Sequence, residues 1–282
     1  MTEKLHVSKV PEYVVDRACD QIAQFSVGLS RVTRKENKED FRLIGTGTLV
    51  ILKGSHSILT ADHVVAEIRN TDQLSLLTSF TGALRRHVFD SSHLEIHRIA
   101  RGQDDATGPD VAVIVLPQNQ VGALKAEKTF YNIDKRRERF AETVLEKDRG
   151  FWFTSGVIGE TEQTVGPTRG FSSVKGYMGL CGTAANPEES ESGGYDYIEM
   201  QVDYSVPNPE LPGSFGGCSG AGVWQVPMRK NADGQLEDEE YILSGVVFYQ
   251  TAVESGIRRI KCHGRRTIYR KVPEYMDGIN RS

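Results

Sequence analysis

A chain of 282 residues with 38% hydrophobic and 26% charged side chains is long enough to bury one large core or two smaller ones. Its formal net charge of −4 provides no basic field for nucleic acid, and neighbouring acids offset the basic cluster at Arg136, Arg137 and Arg139, which we interpret as a solvated helix face. No apolar run reaches the roughly 18 residues that a membrane-spanning helix needs, so we expect no membrane partner. The 28 glycines and 10 prolines, set among short apolar runs, favour an all-β protein.

The first part of the chain predicts a helix ahead of the strands. Between Pro11 and Gln24 the apolar residues fall on one side of a helix and the charged residues on the other. The apolar side carries Val14, Val15, Ala18, Ile22 and Ala23. Because charges run through this segment and no apolar signal-peptide core is visible, we interpret 1–24 as a helical appendage and expect no export signal.

Four cysteines, at Cys19, Cys181, Cys218 and Cys262, show neither CxxC pairing nor metal-ligand spacing. Without an export signal, a reducing compartment is the natural one. We therefore expect free thiols, no metal, no cofactor and a cytoplasmic location.

Apolar runs separated by turn residues predict two β-rich units joined by a polar linker. The runs SVGLSRV, FRLIGTGTLVIL, HSILTADHVV, LEIHRIA and DVAVIVLP predict a first β-barrel over 25–117. We interpret the polar stretch 118–150 as the inter-barrel linker, with a surface helix indicated by the spacing of Phe140, Val144 and Leu145. The runs GFWFTSGVIG, DYIEMQVDYS, AGVWQVP, EYILSGVVFYQ and RRTIYRKV predict a second barrel over 151–282, with VPEYMDGI as a C-terminal helix.

Ser219 lies in GSFGGCSGAGVW, where glycines stand on both sides of it. A serine hydroxyl is a poor nucleophile at neutral pH, so it needs a base for its proton and donors for the oxyanion that forms on the substrate. Glycines permit a tight turn that aims the main-chain N–H groups of Gly217 and Ser219 at one point. The alternative is a glycine-rich loop with no chemical role, leading into the strand AGVW.

His63 and Asp110 are candidates for the other two roles. His63 follows an apolar strand, and its ordinary pKa of about 6.5 suits a general base, although a histidine there also fits a purely structural role. Asp110 begins the apolar run DVAVIVLP, where a buried carboxylate needs a partner such as a histidine. The alternative for Asp110 is a turn residue after Gly108 and Pro109.

Three segments resemble those of trypsin-like serine proteases. LTADHVV resembles their histidine segment, DVAVIVLP their Asp-x-Ala-aliphatic strand, and GCSGAG their Gly-x-Ser-Gly-Gly motif. The order His, Asp, Ser is that of chymotrypsin-like enzymes. GTGTLV, SGVVFY and TIYRKVPEYMDGI resemble scaffold segments of the family, the first of them in HtrA-type and other bacterial members, so the resemblance spans about Phe25 to Ile279.

The resemblance implies a chymotrypsin-like double six-stranded β-barrel with short N- and C-terminal helices, and an intracellular HtrA-like protease domain without a PDZ extension. It implies a triad of His63, Asp110 and Ser219 with an oxyanion hole at Gly217 and Ser219. The substrate pocket would take Gly213 at its base and Phe248, Tyr249 and Gln250 along its wall. Since Gly213 has no carboxylate, we expect a neutral or apolar substrate side chain.

Cys218 stands where secreted relatives carry an aspartate that pairs with a freshly cleaved N-terminus, so we expect no such activation step. It also raises a second mechanism, because picornaviral proteases use a cysteine on the same fold. A thiolate paired with His63 would then attack directly. The glycine register favours Ser219, because Gly217 and Gly220 flank it as the motif requires. His263, in KCHGRR, resembles pocket histidines of glutamine- or glutamate-selective relatives, but we assign it to a surface loop.

Two functions follow. The first is a serine endopeptidase that cleaves a particular intracellular protein, either constitutively or under the control of a regulatory protein partner. The second is a catalytically silent protease-like domain that binds a partner peptide in its cleft. The complete set of triad residues favours the enzyme.

Overall fold

The structure, a computed structural model, describes residues 10–35, 38–69, 71–79, 85–142, 146–147, 150–159, 163–165, 171–173, 176–181, 187–209 and 211–279. Over these ranges the chain is mostly β, with antiparallel sheets and few helices. None of the helices in the described ranges has the length and apolar character needed to cross a bilayer.

Short helices frame and interrupt the strands. They are α1 (Glu12–Ala23), α2 (Asp62–Ile68), α3 (Gln118–Lys125), α4 (Arg137–Phe140) and α5 (Val272–Ile279). The predicted helices at the two ends, α1 and α5, are confirmed. Val14, Ala18 and Ile22 recur every fourth residue along α1 and are fully buried, which explains why this segment forms a helix.

The first large sheet is formed by the strands before residue 116 and one short later strand. These are β1 (Ser26–Lys35), β2 (Lys38–Leu52), β3 (Ser55–Thr60), β4 (Gln73–Leu77), β5 (Arg86–Asp90), β6 (Glu95–Arg101), β7 (Asp110–Val115) and β8 (Tyr131–Asn132). Their order is β5-β4-β1-β2-β3-β7-β6, and all neighbours are antiparallel except β8, which pairs with β2 in parallel.

The second large sheet contains most of the strands after residue 150. The strands of this half are β9 (Phe151–Val157), β10 (Gln163–Val165), β11 (Phe171–Ser173), β12 (Gly176–Cys181), β13 (Glu188–Ser192), β14 (Tyr195–Asp203), β15 (Gly222–Val226), β16 (Met228–Lys230), β17 (Leu236–Asp238), β18 (Ile242–Gln250) and β19 (Ile257–His263). Seven of them form the antiparallel order β12-β9-β15-β18-β19-β14-β13, while β10–β11 and β16–β17 are separate pairs. Among the described residues no ladder closes either sheet upon itself.

The two sheets share a buried core, and the helix α1 packs into it. Val14 and Ile22 belong to the same cluster as Leu59 of the first sheet and Trp224 of the second. Phe25, just after α1, stacks on Trp224 with ring centroids 5.0 Å apart. The two sheets therefore pack against each other through this shared core.

Two expectations about local structure are wrong. The run RRTIYRKV is not a strand: the last strand of the sheet is β19, and Thr267–Lys271 forms a π-helical turn leading into α5. The Asp196 carboxylate explains this, because it accepts the main-chain N–H groups of Arg266 and Thr267 and so starts a helical turn.

The predicted surface helix of the linker is reduced to the single turn α4. Phe140 in that turn is 3% exposed and contacts the ring of Tyr269, so it serves the core. Val144 and Leu145 lie outside the described residues. The linker also contains α3, which the spacing of apolar residues did not indicate.

Candidate functional site

His63 is presented by the junction of a buried strand and a short helix. β3 ends at Thr60, Ala61 keeps an extended conformation with φ −78° and ψ 149°, and α2 begins at Asp62. The buried Asp62 carboxylate accepts two hydrogen bonds from Arg98, at 2.7 and 2.5 Å, which anchors the first turn of α2. The side chain of His63 stays one-third exposed.

Asp110 is the first residue of β7, and its carboxylate holds His63 at two points. Oδ2 lies 2.6 Å from His63 Nδ1, and Oδ1 accepts the main-chain N–H of His63 at 2.9 Å. The Nδ1 proton therefore points at the carboxylate, which leaves the lone pair of Nε2 available as a base. Sequence analysis placed these residues together, and the structure brings them into direct contact.

The charge of Asp110 is maintained despite its burial. Its side chain is 1% exposed, and burial by itself would raise the pKa of the carboxyl. The hydrogen bond and charge of His63, together with the Arg101 guanidinium 3.3 Å from Oδ1, outweigh burial and hold the pKa of Asp110 below its ordinary value. The carboxylate is thus an anion at neutral pH and can orient an imidazole.

Ser219 lies on a loop whose shape depends on glycine. Gly217 and Gly220 have φ of +98° and +92°, the left-handed region that favours glycine. A Cβ on Gly220 would lie 2.0 Å from the Thr46 carbonyl oxygen, so no larger residue fits there. The Thr46 amide donates to the Ser219 carbonyl at 2.8 Å, which ties the serine loop to the first sheet.

The main-chain N–H groups around Ser219 fall into two sets. Those of Gly216, Cys218, Gly220 and Ala221 donate to acceptors within the chain. Among the described residues no acceptor is found for those of Gly217 and Ser219. Two unpaired donors two residues apart on one tight loop are the arrangement that an oxyanion hole requires.

A cavity of about 310 Å³ joins the two halves of the site. His63 and Ser219 both line it, together with Phe248, Tyr249 and Gln250 of β18. Within the described part of the chain no hydrogen bond joins the Ser219 hydroxyl to the His63 ring. Nucleophile and base are often further apart in the absence of substrate than in the reacting complex.

Three of the four residues that the sequence predicts for the substrate pocket line this cavity, and the fourth does not. Phe248, Tyr249 and Gln250 line it, whereas Gly213 is exposed and is not among its lining residues. The Gly213 carbonyl instead accepts a hydrogen bond from Arg258 Nη1 at 2.6 Å. The Gln250 amide is fixed at both ends, because its oxygen accepts the Phe215 N–H at 2.8 Å and its nitrogen donates to a serine hydroxyl at 2.9 Å.

Sequence analysis missed several residues of this cavity: Asp105, Phe215, Gly216 and Val247. Asp105 brings a carboxylate to the rim, where it pairs with Arg101 at 2.5 Å. Gly216 and Val247 could have been predicted, because they lie in or next to motifs that the sequence analysis had recognised. For Asp105 there was none, because the loop that carries it lies far from the serine along the chain.

Cys218 is enclosed, in contrast to Ser219. It is 2% exposed, and its thiol lies 3.4 Å from the Val157 carbonyl oxygen, to which it donates. Burial raises the pKa of the Cys218 thiol to about 12. A thiol that stays protonated and does not line the cavity is poorly suited to attack a substrate.

His263 was assigned to a surface loop, and this is wrong. It is the last residue of β19, it is fully buried, and its ring packs against Phe248 at 4.9 Å between centroids and against Tyr197 at 5.3 Å. The charged neighbours on both sides along the chain suggested an exposed loop. The end of the strand is buried because the start of β7, from the first sheet, covers it.

A larger cavity of about 430 Å³ lies elsewhere, lined by Glu142, Glu189, Glu191, Arg265 and Arg266 among others. The described residues that line it include no histidine or cysteine. No group of three or more histidine, cysteine or acidic side chains able to hold a metal ion occurs within the described ranges. The candidate base and nucleophile, His63 and Ser219, line the smaller cavity instead.

The chain matches no model of a known protein family and no curated protein.

Proposed function

We propose that the chain is a serine endopeptidase of the chymotrypsin-like class. The observation that carries this proposal is that His63, held by the Asp110 carboxylate at 2.6 and 2.9 Å, lines the same cavity as Ser219. The unpaired N–H groups of Gly217 and Ser219 complete the set of groups that acyl transfer needs.

The reaction follows from the roles of these groups. As Ser219 Oγ attacks the carbonyl carbon of a peptide bond, His63 Nε2 takes the hydroxyl proton, and the N–H groups of Gly217 and Ser219 donate to the resulting oxyanion. When the tetrahedral intermediate collapses, the C–N bond breaks and the leaving amine takes the proton from His63. Water then attacks the acyl-enzyme by the same route, which releases the acid and restores the serine.

The proposal includes the double β-barrel. Its support is the division of the chain into two antiparallel sheets, with His63 in the helix that follows β3, Asp110 at the start of β7 and Ser219 just before β15 of the second sheet. The described sheets contain eight and seven strands, which differs from the six strands per barrel that the resemblance implies. A double barrel of this class carries its histidine and aspartate on one barrel and its serine on the other, which is how these three residues are distributed over the two sheets.

Ser219 rather than Cys218 is the proposed nucleophile. The buried thiol, with its pKa raised to about 12, supports this choice, as does the position of Ser219 on the cavity wall. Phe248, Tyr249 and Gln250 carry no charge, and the Asp105 carboxylate at the rim is paired with Arg101, which supports a neutral or apolar substrate side chain. We further propose that the substrate is a particular protein in the cytoplasm. Broad hydrolysis of unfolded casein, with no preference among candidate partners, would contradict that narrower claim.

A silent peptide-binding domain is the second candidate. The observation that favours it is the lack of a hydrogen bond between the Ser219 hydroxyl and His63 in the described structure. Such a domain would bind peptide in the cavity without forming an acyl-enzyme.

A fluorophosphonate probe with mass mapping of the adduct separates these candidates. We expect labelling at Ser219, complete loss in Ser219→Ala, and labelling within about threefold of wild type in Cys218→Ala, because the thiol takes no part. Labelling that survives Ser219→Ala and disappears in Cys218→Ala would establish the cysteine mechanism. No labelling of folded wild-type protein that still binds peptide would establish the silent domain.

A further inference from the structure

The main-chain N–H of Asp110 donates to a side chain from the other sheet. Its acceptor is Nε2 of His263, at 2.9 Å, 153 residues further along the chain. On one side β7 pairs with β6 from Asp110 onward, but on the other its pairing with β3 begins only at Ala112. The Asp110 amide therefore lies beyond the end of that ladder, and the histidine supplies the acceptor that a strand would otherwise provide.

The state of the His263 ring follows from this hydrogen bond. Since Nε2 accepts, its lone pair is engaged and the ring proton of the neutral form lies on Nδ1. Nδ1 has no hydrogen-bond partner among the described residues, and the ring is enclosed by Tyr197 and Phe248. Burial lowers the pKa of His263 to about 4, although the acidic neighbours Asp110 and Asp196 act in the opposite direction. The ring is thus a neutral acceptor at neutral pH.

Strands β14 and β19 of the second sheet also hold the segment that precedes Asp110. Lys261 Nζ donates to the Ala106 carbonyl at 2.9 Å. Tyr197 packs so closely on Gly108 that a Cβ there would lie 3.0 Å from the ring. The start of β7 is therefore fixed against the second sheet at three points, of which only the bond to His263 acts on Asp110 itself.

We propose that His263 is a positioning residue of the reaction centre, which accepts the Asp110 main-chain N–H and so sets where the Asp110 carboxylate meets His63. This inference rests on the proposed function, because it assigns His263 a part in orienting the base. It couples the sheet that carries Ser219 to the pair that activates it. A small displacement of a positioning group can cost a large factor in rate.

The test compares His263→Phe, which keeps a ring but loses the acceptor, with His263→Gln, whose Oε1 can replace Nε2. We expect kcat to fall about 10- to 100-fold in His263→Phe, with KM within about twofold of wild type, and to recover in His263→Gln. His56→Phe, the same exchange at a ring packed on Phe130 outside the cavity, should leave kcat unchanged. Unchanged kcat in His263→Phe, or equal losses in the Phe and Gln variants, would overturn the proposal.

Nuclear magnetic resonance of protein labelled with ¹⁵N separates this inference from the proposed function. We expect a scalar coupling across the hydrogen bond between the Asp110 amide nitrogen and His263 Nε2. We also expect the His63 Nδ1 proton resonance to move in His263→Phe and to return in His263→Gln. An inactive wild type with both signatures would refute the endopeptidase and leave the positioning intact. An unmoved His63 resonance in folded His263→Phe would refute the positioning, whatever the activity.

Discussion

His63 and Asp110 are held by side-chain contacts, whereas Ser219 is held by the main chain around it. On the first sheet, a carboxylate bonds an imidazole and Arg101 lies beside it. On the second, two glycines with positive φ set the loop, and the loop's own contacts are made by its main-chain N–H and C=O groups, two of which accept from threonine hydroxyls. Charge pairing therefore orients the candidate base, while backbone conformation presents the candidate nucleophile and its N–H groups.

The largest expected effect comes from distorting the serine loop. In Gly220→Ala the new Cβ would lie 2.0 Å from the Thr46 oxygen and 2.2 Å from Thr60 Oγ1, at a φ of +92°. We expect the free energy of unfolding to fall by about 4 kcal/mol or more, measured by denaturant melts. Gly216→Ala is the matched control, since the nearest atom would be 3.4 Å away, and a change within about 0.5 kcal/mol is expected. Equal effects of the two variants would show that backbone conformation does not fix the loop.

The second prediction concerns how the stability of the folded protein depends on pH through the buried side chain of His263. His263 binds no proton in the folded protein above about pH 4, but in the unfolded chain it takes one up near its ordinary pKa of about 6.5. The unfolded state therefore binds more protons between these values, so this contribution to stability is complete above pH 6.5 and falls as the pH drops towards 4. Its full size is about 3 kcal/mol.

Denaturant melts from pH 4 to pH 8 measure this contribution. His263→Phe should lose the part of the pH dependence that the histidine supplies. The same slope in wild type and variant would contradict a buried neutral histidine.

A smaller loss of stability is expected from removing the Thr46 hydroxyl, which joins the first sheet to the loop that carries Ser219. Thr46 is fully buried, and its Oγ1 donates to the Gly217 carbonyl at 2.7 Å and accepts the Val157 N–H at 3.0 Å. Thr46→Val should lower the free energy of unfolding by about 2 kcal/mol, because it leaves a buried N–H unpaired. Thr48→Val removes a single donor, to the Gly220 carbonyl, and should cost about 1 kcal/mol. A cost for Thr46→Val no greater than that for Thr48→Val would argue against this link.

The sequence predicted those parts that local patterns determine. Apolar runs bounded by turn residues predicted most strands of the sheets, and the segments of α1 and α5 were recognised as helices. The contact of His63 with Asp110 followed from two motifs at strand ends. The double barrel and the roles of Ser219, Gly217 and the pocket residues stay predictions.

The parts that were missed depend on contacts between distant segments. His263 is buried by the start of β7, and Thr267–Lys271 is helical because Asp196 lies next to it in space. The run RRTIYRKV fits a short strand as well as a helical turn, so its local pattern could not separate the two. Asp105 reaches the cavity because β19 holds its loop through Lys261, which no local pattern encodes.

Whether His63, Asp110 and Ser219 form one reaction centre is tested most directly by a double-mutant cycle between Asp110 and Ser219. The readout is the hydrolysis of a fluorogenic peptide library. Asp110→Asn should lower kcat/KM by about 10³- to 10⁴-fold in the wild-type background, because it favours the wrong imidazole tautomer. In the Ser219→Ala background the same change should have almost no further effect, because residues that act as one unit are not additive. If the two losses multiply, or if Asp110→Asn retains wild-type activity, then His63, Asp110 and Ser219 do not form one reaction centre.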